Sequence, residues 1–148
     1  MNRGADKFLK SDYDKFDQYG KDIAIKYLKK LRFNVQGREE DYRIDIVATK
    51  YGVDYRIEIG VLDTKEFTDK ESFPYPKVNF FARKKKQIKD GHFFYVIICK
   101  KTGWCVYCNS QEIYKEKYTT KFDDKRRGGY SDVYAVPKEL CKFRNLNY

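Results

Sequence analysis

The segment from residue 42 to residue 62 constrains the fold most strongly, because it has the pattern of two strands joined by a tight turn. Residues 42–49 and 54–61 alternate between apolar and polar side chains, and residues 50–53 have the composition of a hairpin turn. Successive side chains of a strand alternate between its two faces. Asp45 therefore points to the face opposite to that of Ile46, and Glu58 points to the face opposite to that of Ile57. A carboxylate inside an apolar strand is costly unless it is compensated. Two of them on paired strands favour a bound divalent cation.

The rest of the chain predicts a single α/β domain, spanning residues 1–148, with a central mixed β-sheet flanked by helices. Residues 16–31 have apolar side chains at helical spacing, and residues 77–89 are predicted to contain a second helix with Phe80, Phe81 and Ile88 inward. The apolar run 93–99 is typical of a strand buried on both faces. Further predictions are a strand at 104–108, a short helix from 111, a strand at 131–136 and a helical turn at 137–141.

The chain carries a net charge of +10, and all of this excess lies in its second half. Residues 1–72 hold 15 basic and 15 acidic side chains, whereas residues 73–148 hold 17 and 7. A basic surface combined with many aromatic residues indicates nucleic-acid binding, although a solvated basic face is the alternative. Two segments are candidates for contacts with the phosphate backbone, and their cations are Arg83, Lys84, Lys85, Lys86 and Lys89 in the first and Lys125, Arg126 and Arg127 in the second.

Two further features limit the classes of protein to consider. No stretch approaches the roughly 20 apolar residues of a membrane helix, and the first residues lack the apolar core of a signal peptide. We therefore expect an intracellular protein without a membrane partner, located in the cytoplasm, at the nucleoid or at a site of viral replication. Cys105 and Cys108 have the spacing of a zinc-ligand pair, but no second closely spaced pair follows them, so buried free thiols are favoured over zinc.

The order of an amphipathic helix, a hairpin bearing Asp45 and Glu58, and a buried strand resembles the PD-(D/E)XK nuclease superfamily, which includes restriction endonucleases and Holliday-junction resolvases. The resemblance covers roughly residues 16–100, and residues 20–28 are similar to the first helix of the resolvases. It implies a restriction-endonuclease-like core of α-β-β-β/α-β order. It further implies that Asp45 and Glu58 bind Mg²⁺ or Mn²⁺, with the Ile59 carbonyl as a third ligand and Asp22 completing the shell through water.

Two observations complicate this interpretation. Arg43 and Arg56 each precede one of the acids by two residues on the same strand face, so ordinary cross-strand ion pairs are an alternative to a metal site. In addition, the lysine that the superfamily has two residues beyond the second acid is replaced here by Gly60. Glycine can neither orient nor deprotonate the attacking water.

Three explanations of Gly60 are open. The ammonium group can come from another position, for which Lys84 and Lys86 are the candidates, together with Arg83 and, less favoured, Lys77. The motif can be shifted to residues 63–65, which read Asp-Thr-Lys, although Asp63 has the opposite strand parity to Glu58. Finally, the site can be catalytically silent in a protein that keeps the fold for binding.

The sequence therefore predicts a Mg²⁺-dependent endodeoxyribonuclease that hydrolyses phosphodiester bonds, with catalytic residues Asp45, Glu58, Lys84 and Lys86. The alternative is a silent nuclease-fold protein that binds nucleic acid or serves as an assembly subunit. DNA is the expected partner, with RNA as the alternative. The resemblance also makes a homodimer an option, because many enzymes of the superfamily dimerise to cut two strands, but no feature of the sequence indicates a dimer surface. The abundance of Lys, Tyr and Asn suits an AT-rich genome such as that of a phage or virus.

Overall fold

The computed structural model describes residues 18–36, 46–81, 93–124 and 129–147. These residues form two β-sheets, a long helix α1 over residues 18–30 and a one-turn helix α2 over Ser110–Ile113. Short 3₁₀ helices occupy Glu116–Tyr118 and Lys138–Leu140. The strands in chain order are β1 Asn34–Gln36, β2 Ile46–Lys50, β3 Val53–Leu62, β4 Lys77–Phe81, β5 Phe93–Cys99, β6 Trp104–Asn109, β7 Thr119–Asp124, β8 Gly129–Pro137 and β9 Lys142–Asn145.

The larger sheet is mixed and has six strands in the order β1-β2-β3-β5-β6-β9. Its only parallel pair among the described strands is β3 with β5, and the other neighbours are antiparallel. The smaller sheet has three antiparallel strands in the order β4-β8-β7. The predicted α/β class with a mixed sheet is thus confirmed.

The hairpin between β2 and β3 matches its prediction closely. Lys50 pairs with Val53, which leaves a two-residue loop in which Tyr51 and Gly52 both have positive φ values of 53° and 76°. Positive φ at both positions is characteristic of a type I′ turn, whose twist matches that of the flanking strands. The turn fixes the register, so Ile46 lies opposite Ile57.

Helix α1 ends in a Schellman motif that turns the chain into β1. The amide of Phe33 donates to the Leu28 carbonyl at 3.0 Å, and the amide of Arg32 donates to the Lys29 carbonyl at 3.0 Å. Arg32 adopts φ 69°, the left-handed conformation that this motif requires and that glycine more often supplies. The helix therefore ends before Asn34, which is the first residue of the edge strand β1.

The two faces of the larger sheet are covered by different elements. On one face, α1 packs over an apolar cluster that contains Ile46, Ile57, Ile59 and Ile98. The approach is close, because a Cβ added to Gly20 would lie 2.7 Å from Ile59 Cγ2. The other face is covered by the smaller sheet, and the cluster between the two sheets includes Phe67, Phe80, Tyr95, Val106, Tyr134 and Val136.

The prediction of a helix over residues 77–89 is wrong where the structure describes this segment. Residues 77–81 form β4, in which Val78 and Phe80 are buried and Lys77 and Asn79 are exposed, as expected for a strand with one face on the core. Phe80 does point inward, as predicted, whereas Ile88 lies outside the described residues. Among the described residues, the second face of the larger sheet is therefore covered by the strands of the smaller sheet.

The remaining element predictions agree with the structure. The apolar run becomes β5, which lies between β3 and β6 in the larger sheet. Strand β6, helix α2, strand β8 and the last 3₁₀ helix coincide with the elements expected near 104, 111, 131 and 137. Within the described parts of the chain, no helix combines the length and apolar character needed to cross a membrane.

Candidate functional site

Glu58 is a buried carboxylate in the middle of β3, with only 3% of its surface exposed. Its neighbours Ile57 and Ile59 point toward α1, so Glu58 points toward the opposite face, which the smaller sheet covers. In the parallel pairing with β5, Glu58 lies beside Tyr95 and Gly60 lies beside Ile97. The predicted alternation of β3 is therefore confirmed, and it places a charged group between two sheets.

Aromatic side chains lie near Glu58 among the described residues, since Tyr95 pairs with it in the ladder and Tyr114 responds to its charge. The ring of Phe80, on β4, meets the ring of Tyr95 at 5.1 Å between centroids. Beyond α2, the rings of Tyr114 and Tyr134 meet edge to face at 5.0 Å. The pKa of Tyr114 lies above its usual value, because burial disfavours the phenolate and the negative charge of Glu58 disfavours it further. Tyr114 and Glu58 thus share one electrostatic environment.

The hydroxyl group of Tyr114 was not identified by sequence reasoning. It is buried and has no hydrogen-bond partner among the described residues. Tyr114 follows a one-turn helix far from the hairpin in sequence, and it packs against the cluster between the two sheets. No local pattern around residue 114 could have revealed this proximity.

We expect Tyr114→Phe to raise the free energy of unfolding by about 1 kcal/mol, because the variant removes a buried hydroxyl that lacks a partner and keeps the ring. The check is equilibrium unfolding in urea. Tyr118→Phe is the matched control, because the Tyr118 hydroxyl donates to Glu112 Oε2 at 2.7 Å and its loss should lower stability. A loss of stability in Tyr114→Phe as large as that in the control would contradict this assignment.

Asp45, the other carboxylate of the predicted pair, lies outside the described residues. Within the described residues, the antiparallel register of β2 and β3 begins at the pair Ile46 and Ile57. Asp45 precedes the first of these residues and Glu58 follows the second. Beyond Ile57, the pairing of β3 with β5 continues to Leu62.

The two remaining predicted ligands lie in different parts of the fold. Asp22 is exposed on α1, where its Oδ1 accepts a hydrogen bond from Gln18 Nε2 at 2.7 Å. Because α1 covers the face opposite to that of Glu58, the structure does not bring these two carboxylates together. Ile59 follows Glu58 in β3, and its side chain packs under α1. Among the described residues, no three His, Cys, Asp or Glu side chains come together as a group that could hold a metal ion.

Gly60 lies in apolar surroundings on the Glu58 face. A Cβ at this position would be 3.6 Å from Tyr95 Cε1 and 3.7 Å from Ile97 Cγ1, which is ordinary van der Waals contact. Lys77 is exposed on the outer face of β4 and so points away from this region. Lys65, in the shifted motif, is exposed beyond the end of β3.

The other predicted cations are not all described. Arg56 is half-buried and has the same strand parity as Glu58, as the ion-pair interpretation requires. The predicted residues outside the described ranges are Arg43, Arg83, Lys84, Lys85, Lys86, Lys89, Lys125, Arg126 and Arg127. The structure therefore gives no position for the candidate substitutes of the motif lysine or for the two basic segments.

The four cysteines are buried free thiols. Cys105 packs in the cluster beneath α1, whereas Cys108 packs in the cluster between the two sheets. The two residues are three positions apart along β6. Because successive side chains of a strand alternate between its faces, residues an odd number of positions apart lie on opposite faces. The pair cannot bind one zinc ion from opposite faces of the sheet.

A comparison of the chain with protein-family models, with curated proteins and with solved structures finds no match in any of the three.

Proposed function

We propose that this chain is a nuclease-fold protein related to the PD-(D/E)XK superfamily, which uses Asp45 and Glu58 to bind Mg²⁺ or Mn²⁺ and hydrolyses phosphodiester bonds in DNA. The observation that carries the proposal is the 3% exposure of Glu58 in the middle of β3. A carboxylate at such a depth is costly without compensation, and buried ionisable groups are concentrated at functional sites.

The strand register supports the choice of Asp45 as the second ligand. Ile46 lies opposite Ile57, so extending the antiparallel ladder by one residue would put Asp45 across from Glu58. Facing residues of an antiparallel pair have Cβ atoms about 4.5–5.5 Å apart, a separation that two carboxylates can bridge through one cation. Carboxylate and carbonyl oxygens are the ligands that Mg²⁺ prefers, and the Ile59 carbonyl would be a third ligand.

The chemistry assigned to this site is metal-assisted hydrolysis. A bound Mg²⁺ would supply a more acidic water and stabilise the charge on the phosphate oxygens. Asp45 and Glu58 would hold the ion, while Lys84 or Lys86 would supply the positive charge that Gly60 cannot. The cations at 83–89 and 125–127 would bind the phosphate backbone of the nucleic acid.

The test is DNA cleavage by the full chain with Mg²⁺ or Mn²⁺, using supercoiled, linear, branched and single-stranded substrates. We expect cleavage of at least one substrate, and we expect Asp45→Ala to abolish it while DNA binding persists, because phosphate contacts on other residues supply most of the affinity. Intact DNA in all four reactions would refute the enzymatic proposal.

A second candidate function, a catalytically silent protein that binds nucleic acid, is favoured by the enclosure of the site. The low exposure of Glu58 and the aromatic and aliphatic neighbours of Gly60 limit the access of a phosphate to this face. This candidate predicts DNA binding that weakens steeply as the salt concentration rises, with no cleavage. The same reactions, accompanied by binding measurements at two salt concentrations, distinguish the two functions.

A further inference from the structure

Cys108 and Cys141 form a pair of neighbouring thiols that the proposed function does not use. Cys108 lies in β6, and Cys141 lies between the last 3₁₀ helix and β9. In the antiparallel register of β6 and β9, the last pair is Tyr107 with Lys142, so the next facing positions are those of the two cysteines. The two thiols donate to neighbouring backbone carbonyls, Cys108 Sγ to Leu140 O and Cys141 Sγ to Pro137 O, each at 3.8 Å.

The backbone geometry at such positions suits a disulfide bond. Facing residues of an antiparallel ladder have Cα atoms about 4.5–5.5 Å apart, and disulfides span Cα separations of about 4.4–6.8 Å. Both cysteines belong to the same apolar cluster between the two sheets. The other two thiols lack this relation, because Cys105 points to the opposite face and Cys99 lies beside Leu62 in the pairing of β5 with β3.

The two thiols have different acidities. The neighbouring Cys141 thiol lowers the pKa of Cys108, since an S–H group beside the sulfur stabilises the thiolate, whereas the neighbouring Cys108 sulfur raises the pKa of Cys141. The nearby carboxylate of Glu112 opposes the first effect, but Glu112 is itself paired with Lys115 Nζ at 2.9 Å. Cys108 is therefore the better nucleophile of the two, and Cys141 is placed to react second.

The position of the pair at the edge of the fold provides access. Strand β9 is the outer strand of the larger sheet among the described strands, and edge strands open locally more readily than central strands do. With exposures of 6% and 8%, the two cysteines are shielded in the closed state but lie next to this edge. A small oxidant such as hydrogen peroxide can reach them during local opening.

We propose that Cys108 and Cys141 are an oxidation site at which hydrogen peroxide forms a disulfide bond between β6 and the residue that precedes β9. The Cys108 thiolate attacks one peroxide oxygen, which breaks the O–O bond and gives a sulfenic acid and water once the leaving hydroxide is protonated. The Cys141 thiol then attacks the sulfenic sulfur, the S–S bond forms, and a second water leaves. In total, two thiols lose two hydrogen atoms and one peroxide is reduced to two waters.

The bond would have a structural consequence for the candidate site. The chain between the two cysteines contains β7 and β8, which are two of the three strands of the smaller sheet that covers Glu58. Closing this loop covalently restricts the unfolded chain and holds the covering sheet against β6. Oxidation should therefore stabilise the enclosed form of the protein.

The experiment treats the full chain with a small excess of hydrogen peroxide and counts free thiols by mass spectrometry after alkylation under denaturing conditions. We expect the number of free thiols to fall from four to two, a peptide cross-link between Cys108 and Cys141, reversal by dithiothreitol, and a rise in Tm of about 10 °C.

Three variants make the assignment specific. Cys108→Ser and Cys141→Ser should each prevent the cross-link and the rise in Tm, whereas Cys105→Ala, which changes a buried thiol on the other face of β6, should retain both. The proposal is overturned if four thiols persist after the treatment, if the cross-link joins other cysteines, or if Cys105→Ala abolishes it. None of these outcomes depends on nuclease activity or metal binding.

Discussion

Phe80→Ala should lower the free energy of unfolding by about 3–5 kcal/mol, which is the usual cost of removing a buried phenylalanine ring. Phe80 is 0% exposed, and its ring contacts Tyr95 on the central strand β5. It thereby fixes the smaller sheet on the larger one at Tyr95, the residue that lies beside Glu58 in the pairing of β3 with β5. Urea unfolding followed by circular dichroism measures the loss, and the exposed neighbour Asn79 gives a matched control, since Asn79→Ala should change stability by less than about 0.5 kcal/mol.

The adjacent residue Phe81 distinguishes the strand from the helix that the sequence suggested. In β4, Phe80 is buried and Phe81 is only half-buried, so Phe81→Ala should cost clearly less than Phe80→Ala. A helix over residues 77–89 would have both rings inward, and the two substitutions would then cost similar amounts. Equal losses, or a loss below about 1 kcal/mol for Phe80→Ala, would contradict the packing of the smaller sheet described above.

Local sequence patterns predicted the elements whose signals are contained within a few residues. The type I′ turn at Tyr51 and Gly52, the alternation of β3 and the apolar run of β5 each depend on nearby side chains, and each matches the structure. Strand β4 was missed for a related reason. The alternation of Val78 and Phe80 covers only five residues, and the basic residues that follow it gave the segment the appearance of an amphipathic helix.

The composition of the candidate site was only partly predictable. The parity of β3 correctly puts Glu58 and Gly60 on one face, away from Ile57 and Ile59. The enclosure of that face depends on pairs that are distant in sequence, such as Phe80 with Tyr134 in the smaller sheet. The proximity of Tyr114 to Glu58 is likewise a tertiary contact, and the facing positions of Cys108 and Cys141 depend on the pairing of β6 with β9.

The second prediction with a large expected effect is that Glu58→Gln weakens the binding of a metal ion by the buried carboxylate. Glu58→Gln keeps the size and shape of the side chain but removes the negative charge and one of the two acceptor oxygens. If Glu58 is a ligand, this variant should weaken the binding of Mn²⁺ by at least about tenfold, since even partners outside the ligand shell typically change metal affinity by 10–100-fold. The variant should unfold in urea with the same cooperativity as the original protein, which separates loss of a ligand from loss of the fold.

Asp22→Asn is the matched control for this experiment. It makes the same kind of change at the other carboxylate that the superfamily resemblance suggested, but Asp22 is exposed on α1, which covers the opposite face of the sheet from Glu58. We therefore expect Asp22→Asn to leave the Mn²⁺ affinity unchanged. Equal weakening by Asp22→Asn and Glu58→Gln would point to general charge effects and not to a site at Glu58.

The most direct test of a metal centre at Glu58 is a calorimetric titration of the full chain with Mn²⁺, performed in parallel on the original protein and on Glu58→Gln. The proposed site predicts saturable binding in the millimolar range or tighter for the original protein, and binding that is at least about tenfold weaker or too weak to measure for the variant. The same binding curve for both proteins, or no heat of binding for either, would contradict it.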